Sequence, residues 1–189
     1  MPGFAQSLTA LVAMLCVLSC GPRGSMHGPV KIDAGDKGAH IAGALEFIHE
    51  REPAIHALVI RHVSEIRWKG DPFWSNTRFP GHITLSTAAI SRGRIYLASL
   101  LYHELNHIML YKLRNRERWM DDVSAIERHY RAKVKLDPGI LARLSRFDEE
   151  KLVHELQLRF LVKHGDEENA RLQKLNIIQL DKTYRHLPR

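Results

Sequence analysis

Cysteine is almost absent from this sequence, which has two among its 189 residues. Both of them, Cys16 and Cys20, stand within the first twenty residues. The rest of the chain therefore contains no free thiol and no disulfide, and the packing of its core must hold it together.

Low-complexity sequence is also missing, since no tract is dominated by proline, glycine or a single residue type, and no internal repeat is visible. Such tracts mark long disordered regions, so their absence favours a folded chain. Hydrophobic residues make up 44% and charged residues 26% of the sequence, as in ordinary globular proteins. The length suits one domain with a sizeable core.

A focused basic patch is the third absence. The formal net charge is +7, but the basic residues are spread along the chain from Arg23 to Arg189, and from Arg51 onward they alternate with acids, as in RNRERWMDD and RFDEEK. No nucleic-acid-binding motif accompanies them. We therefore expect a solvated basic surface and no nucleic-acid partner; binding to nucleic acid or anionic lipid is an alternative that rests on net charge alone.

The first twenty residues, MPGFAQSLTALVAMLCVLSC, contain no charged side chain. Their apolar run from Leu8 to Leu18 is too short to span a bilayer as a helix. Its length is typical of the hydrophobic region of a secretory signal peptide. We expect residues 1–20 to be a signal segment; an uncleaved anchor is the alternative.

The end of this segment, VLSC, resembles the lipobox of bacterial lipoprotein signal peptides. The resemblance implies cleavage before Cys20, which would carry a lipid and anchor the protein in a membrane of the bacterial cell envelope, on the periplasmic side or at the cell surface. Residues 21–36 would form a flexible tether rich in Gly and Pro. The folded domain would then comprise residues 37–189.

Hydrophobic spacing predicts a mostly helical domain. Residues 37–66 read as two helices separated at Pro53. The spacing also predicts helices over Met120–Lys133 and Ile140–Lys163, and a last amphipathic helix after Gly165.

One segment has the alternation of a strand. HITLSTAAI, from His82 to Ile90, alternates apolar and polar residues at its start, and the Gly- and Pro-rich stretch before it reads as a loop or hairpin. Together the elements predict an α+β fold, mostly helical with a small sheet.

The stretch LASLLYHELNHIMLYKL places His103, Glu104 and His107 in an otherwise apolar helix. Residues four apart share a helix face, so both imidazoles can reach one metal ion, and this pattern is typical of zinc sites. Glu104 is rotated about 100° from His103, where its carboxylate can reach a metal-held water and act as a base. Coordination would offset the cost of burying these polar groups.

HITLSTAAISRGRIYLASLLYHELNHIML resembles the edge strand and active-site helix of the zincin metallopeptidases. The resemblance implies a zincin-like domain in which His103 and His107 bind zinc and Glu104 is the general base for hydrolysis of a peptide or protein substrate. In that family the edge strand pairs with the substrate backbone, which would here involve Ile83, Thr84 and Leu85. The rest of the chain looks like uncharacterised bacterial lipoproteins that carry the HExxH motif.

The third zinc ligand is open. The metzincin extension, with a glycine and a third histidine soon after the motif, is absent, which leaves the gluzincin arrangement with a later glutamate. Glu127 and Glu155 are near-equal candidates, each on an apolar helical stripe, and Asp121 and Asp122 are further alternatives.

Three other side chains are candidate donors to an oxyanion: His129, Tyr130 and His154. On these grounds we expect a zinc-dependent peptidase of gluzincin type. The alternative is a catalytically inactive envelope lipoprotein of the same fold that acts as a binding or structural module.

Overall fold

The structure is a computed structural model that describes residues 30–68, 70, 76–78 and 81–184. The predicted signal segment and Cys20 lie outside these residues. Within the described part of the chain, no helix combines the length and apolar character needed to cross a membrane.

The four strands of the described residues form one sheet. They are β1 (Lys31–Asp33), β2 (Glu65–Trp68), β3 (Asn76–Arg78) and β4 (His82–Leu85). The strand order is β1-β2-β4-β3. β1, β2 and β4 run parallel, and β3 pairs antiparallel with β4, which follows it in the chain, to form a hairpin.

The described residues also form eight α-helices. They are α1 (Gly38–Arg51), α2 (Pro53–His62), α3 (Thr87–Ser91), α4 (Arg94–Arg114), α5 (Met120–Val134), α6 (Pro138–Leu141), α7 (Arg146–Lys163) and α8 (Glu167–Tyr184). The predicted fold class, mostly helical α+β with a small sheet, is confirmed. The predicted separation of two helices at Pro53 is also confirmed, because Pro53 occupies the first turn of α2, where no backbone N–H is needed.

The sequence-based strand at His82–Ile90 is too long. β4 ends at Leu85, and Ser86 begins helix α3 because its hydroxyl accepts a hydrogen bond from the backbone N–H of Ala89 at 3.1 Å. Gly81 precedes β4 at a close approach: a Cβ atom there would lie 2.6 Å from the backbone oxygen of His62.

The prediction that Ile83, Thr84 and Leu85 belong to an edge strand is wrong. β4 is hydrogen-bonded on both sides, to β2 and to β3, so its backbone has no free edge. The hairpin places β3 at the edge of the sheet, because its antiparallel pairing with β4 covers the side that would otherwise face solvent.

The predicted tether cannot extend to residue 36. Lys31–Asp33 pairs with β2, and Val30 and Ala34 are buried in the hydrophobic core. The folded domain therefore includes residues from 30 onward.

The predicted helix Ile140–Lys163 is divided in two. Asp137 caps the short helix α6, and Ser145 caps α7 by accepting a hydrogen bond from the backbone N–H of Asp148 at 3.1 Å. Each cap supplies an acceptor for N–H groups that a new helix leaves unpaired, which is why the chain restarts there.

Helix α4 lies at the centre of the domain. It packs against α1 and α2 on one side and against α7 on another, and residues on nearly all of its faces are buried. Gly93 precedes it with φ of +91°, a conformation that favours glycine and turns the chain out of α3 into α4. The central position of α4 places His103, Glu104 and His107 within the protein rather than at its surface.

Candidate metal centre

A cavity of about 890 Å³ follows one face of α4. Its lining includes α4 residues spaced three or four apart, which is the spacing of a single helix face. They are Tyr96, Leu100, His103, Glu104, His107, Tyr111 and Arg114. The predicted motif residues therefore share one cavity.

His103 and His107 face each other in this cavity. Their Nε2 atoms are 3.2 Å apart, and His103 is only 7% exposed. Two zinc–nitrogen bonds of about 2.0–2.1 Å at a tetrahedral angle put their nitrogens about 3.3 Å apart. The pair thus has the spacing of two nitrogen ligands of one ion.

Helix α7 supplies the opposite wall of the cavity with Glu150 and His154, which are also four residues apart. His103, Glu150 and His154 offer ligand atoms that all lie within 4.8 Å of one another. The Nε2 atom of His107 is 3.7 Å from Oε2 of Glu150. His103, Glu150 and His154 form a group that can hold a metal ion, and the predicted ligand His107 lies beside this group without belonging to it.

The predictions for the third ligand are wrong in this geometry. Glu127, on α5, lies 3.5 Å from Arg116 and 4.0 Å from Arg131, and it does not line the cavity along α4. Its role is the ion pair that a surface helix commonly forms.

Glu155 does not line that cavity either. It follows His154 by one residue and is rotated about 100° from it around α7. Of the two aspartates, Asp122 contacts Arg61 and Lys112, and neither Asp121 nor Asp122 belongs to the lining of the described cavity.

The sequence did contain a signal for the second wall. Glu150 and His154 repeat the four-residue spacing of His103 and His107 on a later helix, and this spacing was the useful pattern. His154 was predicted only as an oxyanion donor, and Glu150 was missed.

The remaining oxyanion candidates lie elsewhere. The Nε2 atom of His129 is 3.0 Å from the hydroxyl of Tyr102, and the hydroxyl of Tyr130 donates to the backbone oxygen of Asn106 at 3.2 Å. Neither His129 nor Tyr130 lines the cavity along α4. Their hydrogen bonds connect α4 to α5 and have a structural role.

A carboxylate orients His107. Its Nδ1 atom is 2.7 Å from Oε1 of Glu149, and Glu149 also forms an ion pair with Arg114. This contact leaves Nε2 of His107 directed at His103 and Glu150. Carboxylate partners of this kind commonly fix the ring orientation of metal-binding histidines.

A chain of buried amides orients His154. Its Nδ1 atom is 2.6 Å from Nε2 of Gln173 on α8, which also donates to Oε1 of Gln157 at 2.9 Å. Gln157 in turn donates to the hydroxyl of Ser99 at 3.2 Å. The contact with Gln173 occupies Nδ1 of His154 and fixes the orientation of its ring.

The electrostatic environment keeps two of the three histidines neutral. Burial lowers the pKa of His103 well below its usual range, and the neighbouring His107 and His154 lower it further. Burial and His107 lower the pKa of His154 to about 4. Neutral imidazole is the form that binds a metal.

His107 differs because acids surround it. Burial disfavours its protonated form, but the hydrogen bond to Glu149 and the charges of Glu104 and Glu150 outweigh burial and raise its pKa. A negative environment of this kind also stabilises a bound cation.

Glu104 lies in the same cavity with its residue 4% exposed. Burial lowers the pKa of His107, and the charge of Glu104 is among the causes that raise it; burial raises the pKa of Tyr96, and the charge of Glu104 adds to that effect. The predicted base is therefore close to the histidine pair and is sheltered from bulk water.

Comparisons with family models, with curated proteins and with solved structures find no match to this chain.

Proposed function

We propose that this protein is a zinc-dependent metallopeptidase in which Glu104 is the general base. One observation carries the proposal: two pairs of donors, each pair four residues apart on its own helix, converge in a cavity that Glu104 also lines. The resemblance of HELNH and its apolar flanks to the zincin motif supports the same reaction class.

The donor set fits zinc. Imidazole nitrogens with one carboxylate are ligands that zinc prefers, and softer thiolate ligands are missing from the described residues because their sequence has no cysteine. His103, His107 and His154 would be the nitrogen ligands, and Glu150 is placed to be a further ligand or to bind a water. A zinc ion held there would polarise a substrate carbonyl and lower the pKa of a bound water.

Glu104 would move the proton. Its carboxylate would accept a proton from the attacking water and pass that proton to the nitrogen of the leaving amine as the peptide bond breaks. Burial against apolar neighbours keeps competing bulk water away from this carboxylate.

The edge of the sheet would hold the substrate backbone. β1 and β3 are the two edge strands of the described sheet, and β3 is the one that contacts α4, so an extended peptide would pair with Asn76–Arg78 by strand addition. The substrate-pairing role predicted for Ile83, Thr84 and Leu85 moves with the edge to β3.

We also propose that Cys20 carries a lipid and anchors the protein at the bacterial cell envelope, as the VLSC sequence suggests. Mass spectrometry of the mature protein would test this. A mature chain that begins at any residue other than Cys20, or that begins there without lipid, would overturn it.

The peptidase proposal is tested with the purified domain, its Glu104→Gln variant and a matched Glu155→Gln control. Metal content by mass spectrometry should be about one zinc per chain in all three. A broad peptide library should be cleaved by the wild type and by Glu155→Gln, whereas Glu104→Gln should lose nearly all cleavage. A wild-type domain that binds no zinc at micromolar metal contradicts the proposal.

A second candidate is a metal-holding binding module without turnover. The observation that favours it is the number of donors: with Glu150 as a fourth protein ligand, the site would be closed to water, as structural zinc sites are. The predicted inactive envelope lipoprotein corresponds to this arrangement.

Replacement of Glu150 distinguishes the two candidates. In a peptidase with an open position, Glu150→Gln should keep zinc bound with little loss of affinity. In a closed structural site, the same change should weaken zinc binding strongly, and the wild type should cleave no peptide of the library.

A further inference from the structure

The cavity continues beyond the metal-binding group in both directions along α4. Its lining reaches from Tyr96 to Arg114, which are 18 residues apart in the sequence. At about 1.5 Å per residue this helix face is about 27 Å long. An extended peptide rises about 3.3 Å per residue, so the cavity is long enough for about eight residues.

An arginine lines each end of this cavity. Arg92 belongs to the Tyr96 end, where its guanidinium lies 4.9 Å from the centre of the Tyr96 ring. Arg146 belongs to the other end, near Arg114. Arg114 contacts the backbone oxygen of Leu144 and the side chain of Glu149, and these two residues flank Arg146 in the sequence.

The acids of the cavity are engaged elsewhere. Glu149 is shared between His107 and Arg114. Glu150 stands four residues after Arg146, at the spacing of a helical ion pair, yet it is directed at the histidines instead. Within the described part of the chain, neither Arg92 nor Arg146 forms an ion pair with a carboxylate.

We propose that the substrates are acidic peptides whose carboxylates bind Arg92 at one end of the cavity and Arg146 at the other. The proposal rests on the proposed peptidase function and names its substrate class. Guanidinium groups bind carboxylates through two parallel hydrogen bonds.

The spacing along α4 locates the acidic residues. Tyr96 precedes His103 by seven residues, and Arg114 follows His107 by seven, so each arginine-bearing end is about 10 Å from the metal-binding pair. That distance corresponds to about three residues of extended peptide. The preferred substrate therefore has Asp or Glu near the third position on each side of the cleaved bond.

Binding to the zinc-loaded Glu104→Gln variant tests the proposal without turnover. The probes are two fluorescent eight-residue peptides that differ only in glutamate or glutamine at their second and seventh positions. The glutamate peptide should bind more tightly at low salt, and Arg92→Gln or Arg146→Gln in this background should each reduce that preference by about fivefold. Arg128→Gln, which removes the same charge from an exposed residue outside the cavity lining, should leave the preference unchanged.

Equal affinity for the two peptides would overturn the proposal. An equal loss in Arg128→Gln would also overturn it, because net charge rather than the cavity would then set the preference. The proposed peptidase function fails separately: cleavage without charge preference would refute only the acidic specificity, and selective binding without wild-type cleavage would refute only the peptidase.

Discussion

The Nδ1 atom of His107 lies 2.7 Å from Oε1 of Glu149, and this contact joins the central helix α4 to the start of α7 across 42 residues of sequence. Glu149 is the residue immediately before Glu150, so the same turn of α7 orients one histidine and presents a carboxylate to the metal-binding group. The site is therefore assembled by the packing of two helices.

Replacement of Glu149 should weaken metal binding without removing a ligand. In Glu149→Gln the ring of His107 loses the charged partner that orients it, and zinc affinity should therefore fall by about 10- to 100-fold. Competition with a chelator of known affinity measures this change. Glu168→Gln, an exposed acid on α8, is the control and should retain wild-type affinity; an equal loss there would point to a general charge effect.

Gln173 should matter through the ring orientation of His154. Gln173 is 3% exposed and 2.6 Å from His154, so Gln173→Ala should lower zinc affinity by about tenfold. Gln173→Glu should exceed wild-type affinity, because a carboxylate accepts a hydrogen bond from Nδ1–H and leaves Nε2 to the metal, whereas the amide nitrogen of Gln173 donates to Nδ1. Failure of Gln173→Glu to differ from Gln173→Ala would remove the orienting role.

A pair of substitutions identifies which residues bind the metal. His154→Ala should reduce zinc affinity by at least about 100-fold, since one of three nitrogen ligands is lost. Glu127→Gln should retain full affinity, because Glu127 contacts Arg116 and Arg131 rather than the histidines. Isothermal titration with zinc measures both, and the reverse order of effects would restore Glu127 as the third ligand.

His62, a buried histidine outside the metal-binding group, predicts that the stability of the domain depends on pH. His62 contacts Lys112 at 3.2 Å, and Lys112 contacts Asp122 at 2.8 Å. Burial and Lys112, with a smaller contribution from Arg61, lower the pKa of His62 to about 4, although Asp122 acts in the opposite direction.

The sign follows from proton binding. Between the unfolded pKa of about 6.5 and the native value, the unfolded chain binds a proton at His62 and the native chain does not. The free energy of unfolding should therefore fall as the pH falls through this window. The loss is about 1.4 kcal/mol for each unit by which the native pKa lies below the unfolded one.

Urea unfolding of the chelator-treated domain at pH 7 and pH 4.5 checks the size of this loss. His62→Gln should lose less stability between the two pH values than the wild type, whereas His40→Gln, at an exposed position, should lose as much as the wild type. An identical pH dependence in the wild type and His62→Gln would refute the role of His62.

Local patterns in the sequence were sufficient for most of the helices and for half of the site. The spacing of His103 and His107 predicted two facing imidazoles, because residues four apart on a helix share a face whatever surrounds that helix. Pro53 marked a helix boundary for an equally local reason, its missing N–H.

Tertiary structure decided the remaining half. Glu127 and Glu155 met the requirements of spacing and apolar context as well as any acid, but Glu127 contacts arginines and Glu155 is not among the residues that line the cavity. Glu150 and His154 lie in the cavity because α7 packs against α4 at a particular rotation, and helix rotation depends on the whole core.

The sheet shows the same division. The alternation in HITLS was enough to predict a strand. Whether that strand has a free edge depends on which other strands pair with it, and the short β3 pairs with the side that would otherwise be free. The sequence by itself determined a buried helix with two facing histidines and an adjacent acid, because those features repeat with the period of a helix. Only the tertiary structure decided which distant residues complete the group, since side chains more than forty residues away are brought there by packing and not by spacing.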